Sequence, residues 1–426
     1  MVAMLHDTAF EFASSSVRFG RGVTREIGMD LADLGAARVL LVTDPVLRAL
    51  PPVQAALESL QQSRRAVTVY DRVSIEPTDR SLQDAIAFGR AHAFDALVAV
   101  GGGSTIDTAK AINLYTTFPP ADFLDYVNPP VGKGLAVPGP LKPLFAVPTT
   151  AGTGSETTGI AIFDDTTRQV KTGISSRRLK PALALLDPDN IRTLPAAVAA
   201  FSGLDVLCHA VESYTAIPFT RRLRPDRPSA RPPYQGANPI SDVWALQSLR
   251  MLDACFLRAV RDPEDEDARG QMLLAASYAG IGFGTAGVHL PHAMSYPVAG
   301  RVRDFRPAGY DSDHPLVPHG LSVVLNAPAA FRFTAPADPA RHLAAAAALG
   351  ADVGRARLED AGAILADRIL WFMDRLQVPR GLRAVGYSSS DIPALVAGTL
   401  LQQRLTKLSP RPVEGDELAG LFEASL

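Results

Sequence analysis

The sequence predicts two unlike halves: an α/β half with a Rossmann-like parallel sheet, followed by an all-α half. Three observations predict this. Short apolar runs alternate with helical patterns up to about residue 190. Beyond that point the chain turns Ala- and Leu-rich, with apolar residues at helical spacing. The length, 426 residues, exceeds what one ordinary core holds. The expected domains are residues 1–191 and 192–426.

In the first half, ARVLLVTD (37–44), RAVTVYDRV (65–73), DALVAVGGGS (95–104), PLFAVPTT (143–150) and ALALLDP (182–188) read as strands. PPVQAALESLQQ (51–62), SLQDAIAFGRAH (81–92) and STIDTAKAINLY (104–115) read as the helices between them. GIAIFDDTTRQVKTGI (159–174) breaks the rhythm as two strands joined by a polar turn, a hairpin. A strand near residues 8–19 is a candidate edge for a homodimer contact. In the second half, five Ala- and Leu-rich stretches read as helices, from TLPAAVAAFSGLDVLCHAVESYTA to LEDAGAILADRILWFMDRLQV. RRLRPDRPSARPPYQG (221–236) has no periodicity and reads as a long surface loop.

Composition narrows the function classes. Apolar residues make up 47% and charged residues 20%, as in a globular protein with a sizeable core. A net charge of −2 gives no reason to expect nucleic acid or an anionic membrane as partner. No apolar run reads as a bilayer span. The two cysteines, Cys208 and Cys255, are isolated and offer no disulfide framework. The opening residues read neither as a signal peptide nor as an Arg-rich transit peptide, so the expected location is cytoplasmic.

Gly101, Gly102 and Gly103 follow a strand and precede a helix. Glycines let backbone approach a phosphate, and the helix start supplies free N–H groups and a positive dipole end. A tight strand-to-helix turn explains the same run, because its spacing is not G-x-G-x-x-G. PTTAGTGSE (148–156) also follows a strand and is rich in glycines and hydroxyls. Two such loops at strand carboxyl ends face the crevice where open α/β sheets bind ligands. Asp44 ends the first strand. It can accept hydrogen bonds from a ribose 2′-OH and repel a 2′-phosphate, favouring NAD over NADP, or it can simply cap the turn TDPVL.

In GLDVLCHAVES (203–213), Asp205 and His209 lie four apart and share one helix face. An oxygen donor with an imidazole suits Fe²⁺, Zn²⁺, Mn²⁺ or Co²⁺ better than Ca²⁺. Five of the eight histidines, His209, His289, His292, His314 and His319, fall between 209 and 319, and several could converge on Asp205.

VTDPVL, VAVGGGSTIDTAKAI, PLFAVPTTAGTGSE, LLDP, GLDVLCHAVES, PHAMSYP and VPHGLSVVL, in this order, resemble the iron-containing (group III) alcohol dehydrogenases over nearly the whole chain. The resemblance implies an N-terminal dinucleotide-binding domain and a C-terminal helical metal-binding domain. It implies Asp205, His209, His292 and His319 as ligands of Fe²⁺, with Zn²⁺ an alternative. It implies Gly102, Gly103, Ser104, Asp107, Thr149, Thr150, Thr153 and Lys171 as NAD contacts. His289 stays outside the motif, as a core residue or a neighbour of the ligands.

One position departs from the family. Many members carry a histidine for proton transfer where this chain has Tyr296. A tyrosine with an ordinary pKa of about 10 is a poor base at neutral pH, so Tyr296 is the catalytic candidate only if its surroundings help it. HAMSYPVAG and the stretches around it resemble the hydroxyacid-oxoacid transhydrogenase branch. That resemblance implies a small hydroxy acid such as 4-hydroxybutyrate as substrate, with 2-oxoglutarate as hydride acceptor. Such a substrate needs a cation, and Arg301 and Arg303 follow HAMSYP closely. The alternatives are a general NAD-dependent alcohol or diol dehydrogenase and a non-redox lyase using metal and NAD on the same fold.

Overall fold

The computed structural model describes residues 6–168, 170–310 and 314–426. Gln169 of the hairpin turn and Asp313, which opens the DHPLVPHGL segment, lie outside the described residues. The chain divides into two compact units. One runs from Ser14 to Leu194; the other joins Pro195–Leu426 with the residues up to Ala13.

The first unit is built on β1 (Ser16–Phe19), β2 (Arg38–Val42), β3 (Ala66–Tyr70), β4 (Ala96–Gly101), β5 (Leu144–Pro148) and β8 (Leu183–Leu186). They pair in parallel in the order β1-β8-β5-β4-β2-β3. β6 (Ile160–Asp165) and β7 (Val170–Ser175) form the expected antiparallel hairpin. The helices are α1 (Ile27–Asp33), α2 (Pro51–Gln62), α3 (Asp79–Ala91) and α4 (Gly103–Thr117).

Every residue of β4 is buried, so both sheet faces are covered. Alternation divides the core. Val39, Leu41, Val98, Val100 and Val147 pack with Ile27, Leu31, Val53 and Leu60 from α1 and α2. Leu40, Val42, Leu97, Ala99 and Ala146 pack with Ala85 of α3 and Ile106, Ala109 and Ile112 of α4. β1 sits at the sheet edge, and its Val17 and Phe19 are 39% and 43% exposed. Asp187 of the LLDP motif is structural: it accepts from the Gly22 and Thr24 backbone and the Thr24 hydroxyl, fastening β8 to the chain after β1.

The second unit is helical. Its elements are α5 (Ala196–Thr215), α6 (Pro239–Arg261), α7 (Glu266–Ala286), α8 (Leu290–Gly300), α9 (His319–Val324), α10 (Ala327–Thr334), α11 (Pro339–Ala348), α12 (Ala361–Arg375), α13 (Ile392–Leu400), α14 (Gln403–Thr406) and α15 (Gly415–Ser425). Asn238 and Asp265 cap α6 and α7 through backbone N–H groups of Ser241 and Ala268. The Arg- and Pro-rich stretch is a loop with short turns at Phe219–Arg221 and Pro228–Ala230. It is pinned by Arg222 and Arg231, which both pair with buried Asp7. That contact explains why the N-terminal residues group with the helical unit rather than with the sheet.

One expectation changes. α5, at 20 residues, is long and apolar enough by length and composition to cross a membrane. Its residues from Gly203 to Thr215 are all buried within the helical unit, and they include Asp205, His209 and Glu212. A helix covered on all sides is apolar all round, and this one carries its few ionisable groups together.

Candidate metal centre and nucleotide loops

Three helices bring the expected ligands together. Asp205 and His209 project from one face of α5, His292 from the first turn of α8, and His319 opens α9. Gly320 permits the last approach: a Cβ there would lie 1.9 Å from the Phe201 carbonyl oxygen. One ligand atom from each of Asp205, His209, His292 and His319 lies within 4.8 Å of the others. His292 Nε2 is 3.4 Å from Asp205 Oδ1, His319 Nε2 is 3.8 Å from the same oxygen, and His209 Nδ1 is 3.8 Å from Asp205 Oδ2. His319 is the open side, with 26% of its side chain exposed, whereas the other three are buried.

These atoms fit a cation. Asp205 Oδ1, His209 Nδ1 and His292 Nε2 are buried without a hydrogen-bond partner, which is costly unless something else satisfies them. Glu212, fully buried, fixes the polarity of His292: its Oε1 lies 2.5 Å from His292 Nδ1. A carboxylate only accepts, so Nδ1 donates, and Nε2 is the ring atom turned toward Asp205. Glu212 Oε2 accepts from the His289 backbone N–H at 2.6 Å, anchoring the start of α8. Sequence reasoning missed Glu212. The signal was its place on the Asp205–His209 face, seven and three residues on.

Charge follows from the same packing. Burial pushes His209 down to about 3, so its ring is neutral and its lone pair available. Burial also opposes charge on His292, but Glu212 and Asp205 outweigh it and raise that ring to about 9. Burial alone would raise Asp205; His209, His319 and His292 hold it well below the usual carboxylate range. His209 stacks on Phe283 at 4.0 Å between centroids, which fixes its plane.

Other histidines divide as follows. His289 is buried and its Nε2 meets the Thr215 hydroxyl at 3.0 Å, outside the ligand set. His314 is exposed. Tyr296 lies one turn along α8 from His292, with its ring centroid 6.5 Å from that of His319. Its hydroxyl accepts from the Arg404 guanidinium at 2.7 Å. Arg301 is exposed, and Arg303 is exposed and pairs with Asp391.

In the sheet unit, the carboxyl ends of β2, β4 and β5 adjoin, because β4 pairs with both of the others. The Thr149 N–H donates to the Gly101 carbonyl at 3.1 Å. The loops leave no room for a side chain at Gly103, where a Cβ would lie 2.7 Å from Thr153, whereas one on Gly102 would meet Thr150 at an ordinary 3.4 Å. Gly102 precedes the first residue of α4, whose N-terminal N–H groups point toward this loop pair. Asp44 caps its own turn, accepting from the Leu47 N–H at 2.8 Å.

Three expected nucleotide residues hold protein groups here. The Ser104 hydroxyl accepts from the Glu76 N–H at 3.2 Å. Asp107 accepts from the Ser155 hydroxyl at 2.5 Å and the Ile162 N–H at 2.9 Å, tying α4 to the hydroxyl loop and β6. Lys171, 2% exposed, pairs with Glu76 at 2.5 Å and Asp164 at 3.2 Å. Lys110, which sequence reasoning did not single out, is buried and donates to the Ser155 hydroxyl at 2.6 Å and the Ile160 carbonyl at 2.7 Å. Glu76 meets Lys171 95 residues away, and Lys110 meets Ser155 and Ile160 45 and 50 residues away, with Asp107 a nearer neighbour in sequence.

A sheet unit with paired phosphate-type loops and a helical unit with an Asp-and-three-His cluster are the parts of a metal- and dinucleotide-dependent enzyme. The family comparisons agree. Residues 14–188 match the model described as iron-containing alcohol dehydrogenase, and residues 234–426 match the C-terminal model of the Fe-containing alcohol dehydrogenase family. The chain is 59% identical to "Hydroxyacid-oxoacid transhydrogenase, mitochondrial" of Xenopus tropicalis, over 98% of this chain and 90% of that protein. It is 57% identical to the human protein of the same name, over 99% of this chain and 90% of that one. Among solved structures, a 1,3-propanediol oxidoreductase is 28% identical with a TM-score of 0.85, covering 98% of this chain and all of that one. The alcohol dehydrogenase from Oenococcus oeni is 25% identical with a TM-score of 0.85, again covering 98% of this chain and all of that one. The chain belongs to the iron-containing alcohol dehydrogenase family, in its hydroxyacid-oxoacid transhydrogenase branch.

The family carries with it a metal and a nicotinamide nucleotide, and these relatives' names favour the redox reading over the lyase alternative. One expectation is corrected. The relatives from Xenopus tropicalis, human and Dictyostelium discoideum are all named as mitochondrial, which overturns the expected cytoplasmic location. Free, isolated cysteines speak against disulfides but do not distinguish one reducing compartment from another.

Proposed function

We propose that this chain oxidises a short hydroxy acid, with 4-hydroxybutyrate as reference substrate, and returns the hydride to an oxo acid such as 2-oxoglutarate through a retained NAD. Asp205, His209, His292 and His319 hold the metal, Fe²⁺ in the working enzyme. The observation that carries this is the set of three buried donor atoms with no partner, converging with His319. When bound, the metal polarises the substrate's oxygen and the nicotinamide takes or returns the hydride.

The chain's own residues do the rest. Glu212 orients His292, so that its Nε2 rather than its Nδ1 faces Asp205. His319, on the open side, borders the substrate's approach. Tyr296, one turn from His292, carries the proton to or from the alcohol, directly or through water. On the sheet unit, Gly102, Gly103 and Ser104 offer the start of α4 to the pyrophosphate, with Thr149, Thr150 and Thr153 lining the same loop pair. Asp44 faces the ribose and favours NAD. Asp107 and Lys171 serve the nucleotide by keeping the hydroxyl loop and the hairpin in register.

Anaerobic reconstitution with Fe²⁺ or Zn²⁺, assayed on 4-hydroxybutyrate with and without 2-oxoglutarate, tests the reading. We expect turnover with Fe²⁺ that depends on the oxo acid and releases no NADH. Steady NADH release from simple alcohols, with no gain from 2-oxoglutarate, would establish the general alcohol dehydrogenase instead.

A further inference from the structure

Arg404 has no carboxylate partner among the described residues and lies beside Tyr296, which neighbours the candidate metal centre. Most partly buried arginines of the helical unit have a carboxylate: Arg222 and Arg231 share Asp7, Arg341 holds Asp242, and Arg368 holds Asp253. Arg404, on the short helix α14, has none among the described residues. Its hydrogen-bonding neighbours are phenols, the Tyr296 hydroxyl at 2.7 Å and that of Tyr234. Two rings flank it, Tyr296 at 5.7 Å and Tyr234 at 5.8 Å from the guanidinium carbon. A guanidinium has five donors. Tyr234 is a second hydrogen-bonding neighbour of this enclosed guanidinium, and two phenol oxygens cannot engage all five donors.

The placement relative to the metal ligands is specific. Tyr296 and His292 lie four apart on α8, on one helix face and about 6 Å apart along its axis. Arg404 sits at the far end of the Tyr296 side chain, and His319 with its exposed edge sits beside the Tyr296 ring. The order along this face is ligand cluster, phenol, guanidinium. A short hydroxy acid presents the same order, with an alcohol oxygen at one end and a carboxylate at the other. Arginine suits that carboxylate because its planar fork matches two oxygens at once. Of the two arginines that follow HAMSYP, Arg303 is taken by Asp391 and Arg301 is exposed.

We propose that Arg404 binds the carboxylate of the hydroxy-acid and oxo-acid substrates, and so sets the preference for acids over plain alcohols. This rests on the hydroxy-acid reading above. Tyr234 and Tyr296 hold the guanidinium in place without neutralising it, leaving its charge for the ligand.

The test compares Arg404→Gln and Arg404→Lys with the parent, all metal-loaded. One arm measures kcat/KM for 4-hydroxybutyrate and for 1-butanol, which lacks the carboxylate. The other measures butyrate binding by calorimetry, a carboxylate probe that cannot react. We expect the acid-to-alcohol ratio to fall about 100-fold in Arg404→Gln, as when one partner of a desolvated charge pair is removed. Arg404→Lys should recover part of it, and butyrate binding should weaken in parallel. Equal loss on both substrates with unchanged butyrate affinity would overturn the proposal and leave Arg404 a support for Tyr296. If Arg404→Gln does not fold, the Lys variant reads the same ratio. If the parent turns over alcohols but not 4-hydroxybutyrate, the hydroxy-acid reading fails, and the butyrate arm still decides whether Arg404 holds a carboxylate.

Discussion

Glu212 shows how one buried side chain can set up a site without entering it. Its two oxygens do separate jobs: one takes the Nδ1 proton of His292, the other takes the backbone N–H of His289 at the start of α8. Glu212→Gln keeps the shape but turns an acceptor pair into an acceptor and a donor, so an amide N–H must face the ring or the His289 N–H. We expect metal affinity to fall by about 10- to 100-fold, the usual cost of losing a carboxylate behind a ligating histidine. Competition with a chromophoric chelator measures it, and parent-like affinity would remove Glu212 from this role. The candidate ligands could be named from the sequence because family motifs carry them in short strings. Glu212 and Arg404 were not, because their significance lies in what they touch: an imidazole 80 residues away and a phenol 108 residues away.

At the scale of elements, the hydroxyl loop after β5 is held by buried polar groups as well as by apolar packing. Lys110 and Asp107 converge on Ser155, and Glu156 next to it is buried with only 3% exposure. Burial pushes the Glu156 carboxyl up from 4.5 to about 7. In the unfolded chain it ionises near its ordinary value; in the folded chain it keeps its proton longer. The folded state therefore binds more protons across this window, and stability falls as pH rises from about 4.5 to about 7, then levels off. Glu156→Gln cannot lose a proton. Its advantage over the parent should be absent near pH 4 and reach the order of 3–4 kcal/mol by pH 8, at about 1.4 kcal/mol per pKa unit. Hydrogen exchange of the β5 amides at the two pH values reads the difference, and a pH-independent difference would show that Glu156 is not the titrating group. Element positions were readable for a related reason. α2 spans Pro51–Gln62, the range its helical spacing predicted, because a Pro-led amphipathic repeat is a local signal. The short β1 was blurred within 8–19, since an edge strand buries little and leaves a faint pattern.

For the whole molecule, the change of texture near residue 190 marks a change of architecture, because a covered parallel sheet and a helix bundle need different periodicities. What no periodicity carries is the return of the N-terminal residues to the helical unit, which depends on Asp7 finding two arginines more than 200 residues away. The two units also carry their candidate sites separately: the Asp-and-three-His cluster comes from α5, α8 and α9, the glycine and hydroxyl loops follow β4 and β5. A metal that bridges three helices stabilises the unit they belong to, by about 4 kcal/mol when its concentration is a thousand times its dissociation constant. NAD should do the same for the sheet unit. Calorimetry of the chelator-stripped protein should therefore give two transitions, with Fe²⁺ or Zn²⁺ moving one and NAD the other. A single transition moved by either ligand would show instead that the units melt together. The metal would then act on the stability of the nucleotide loops as well as on the chemistry.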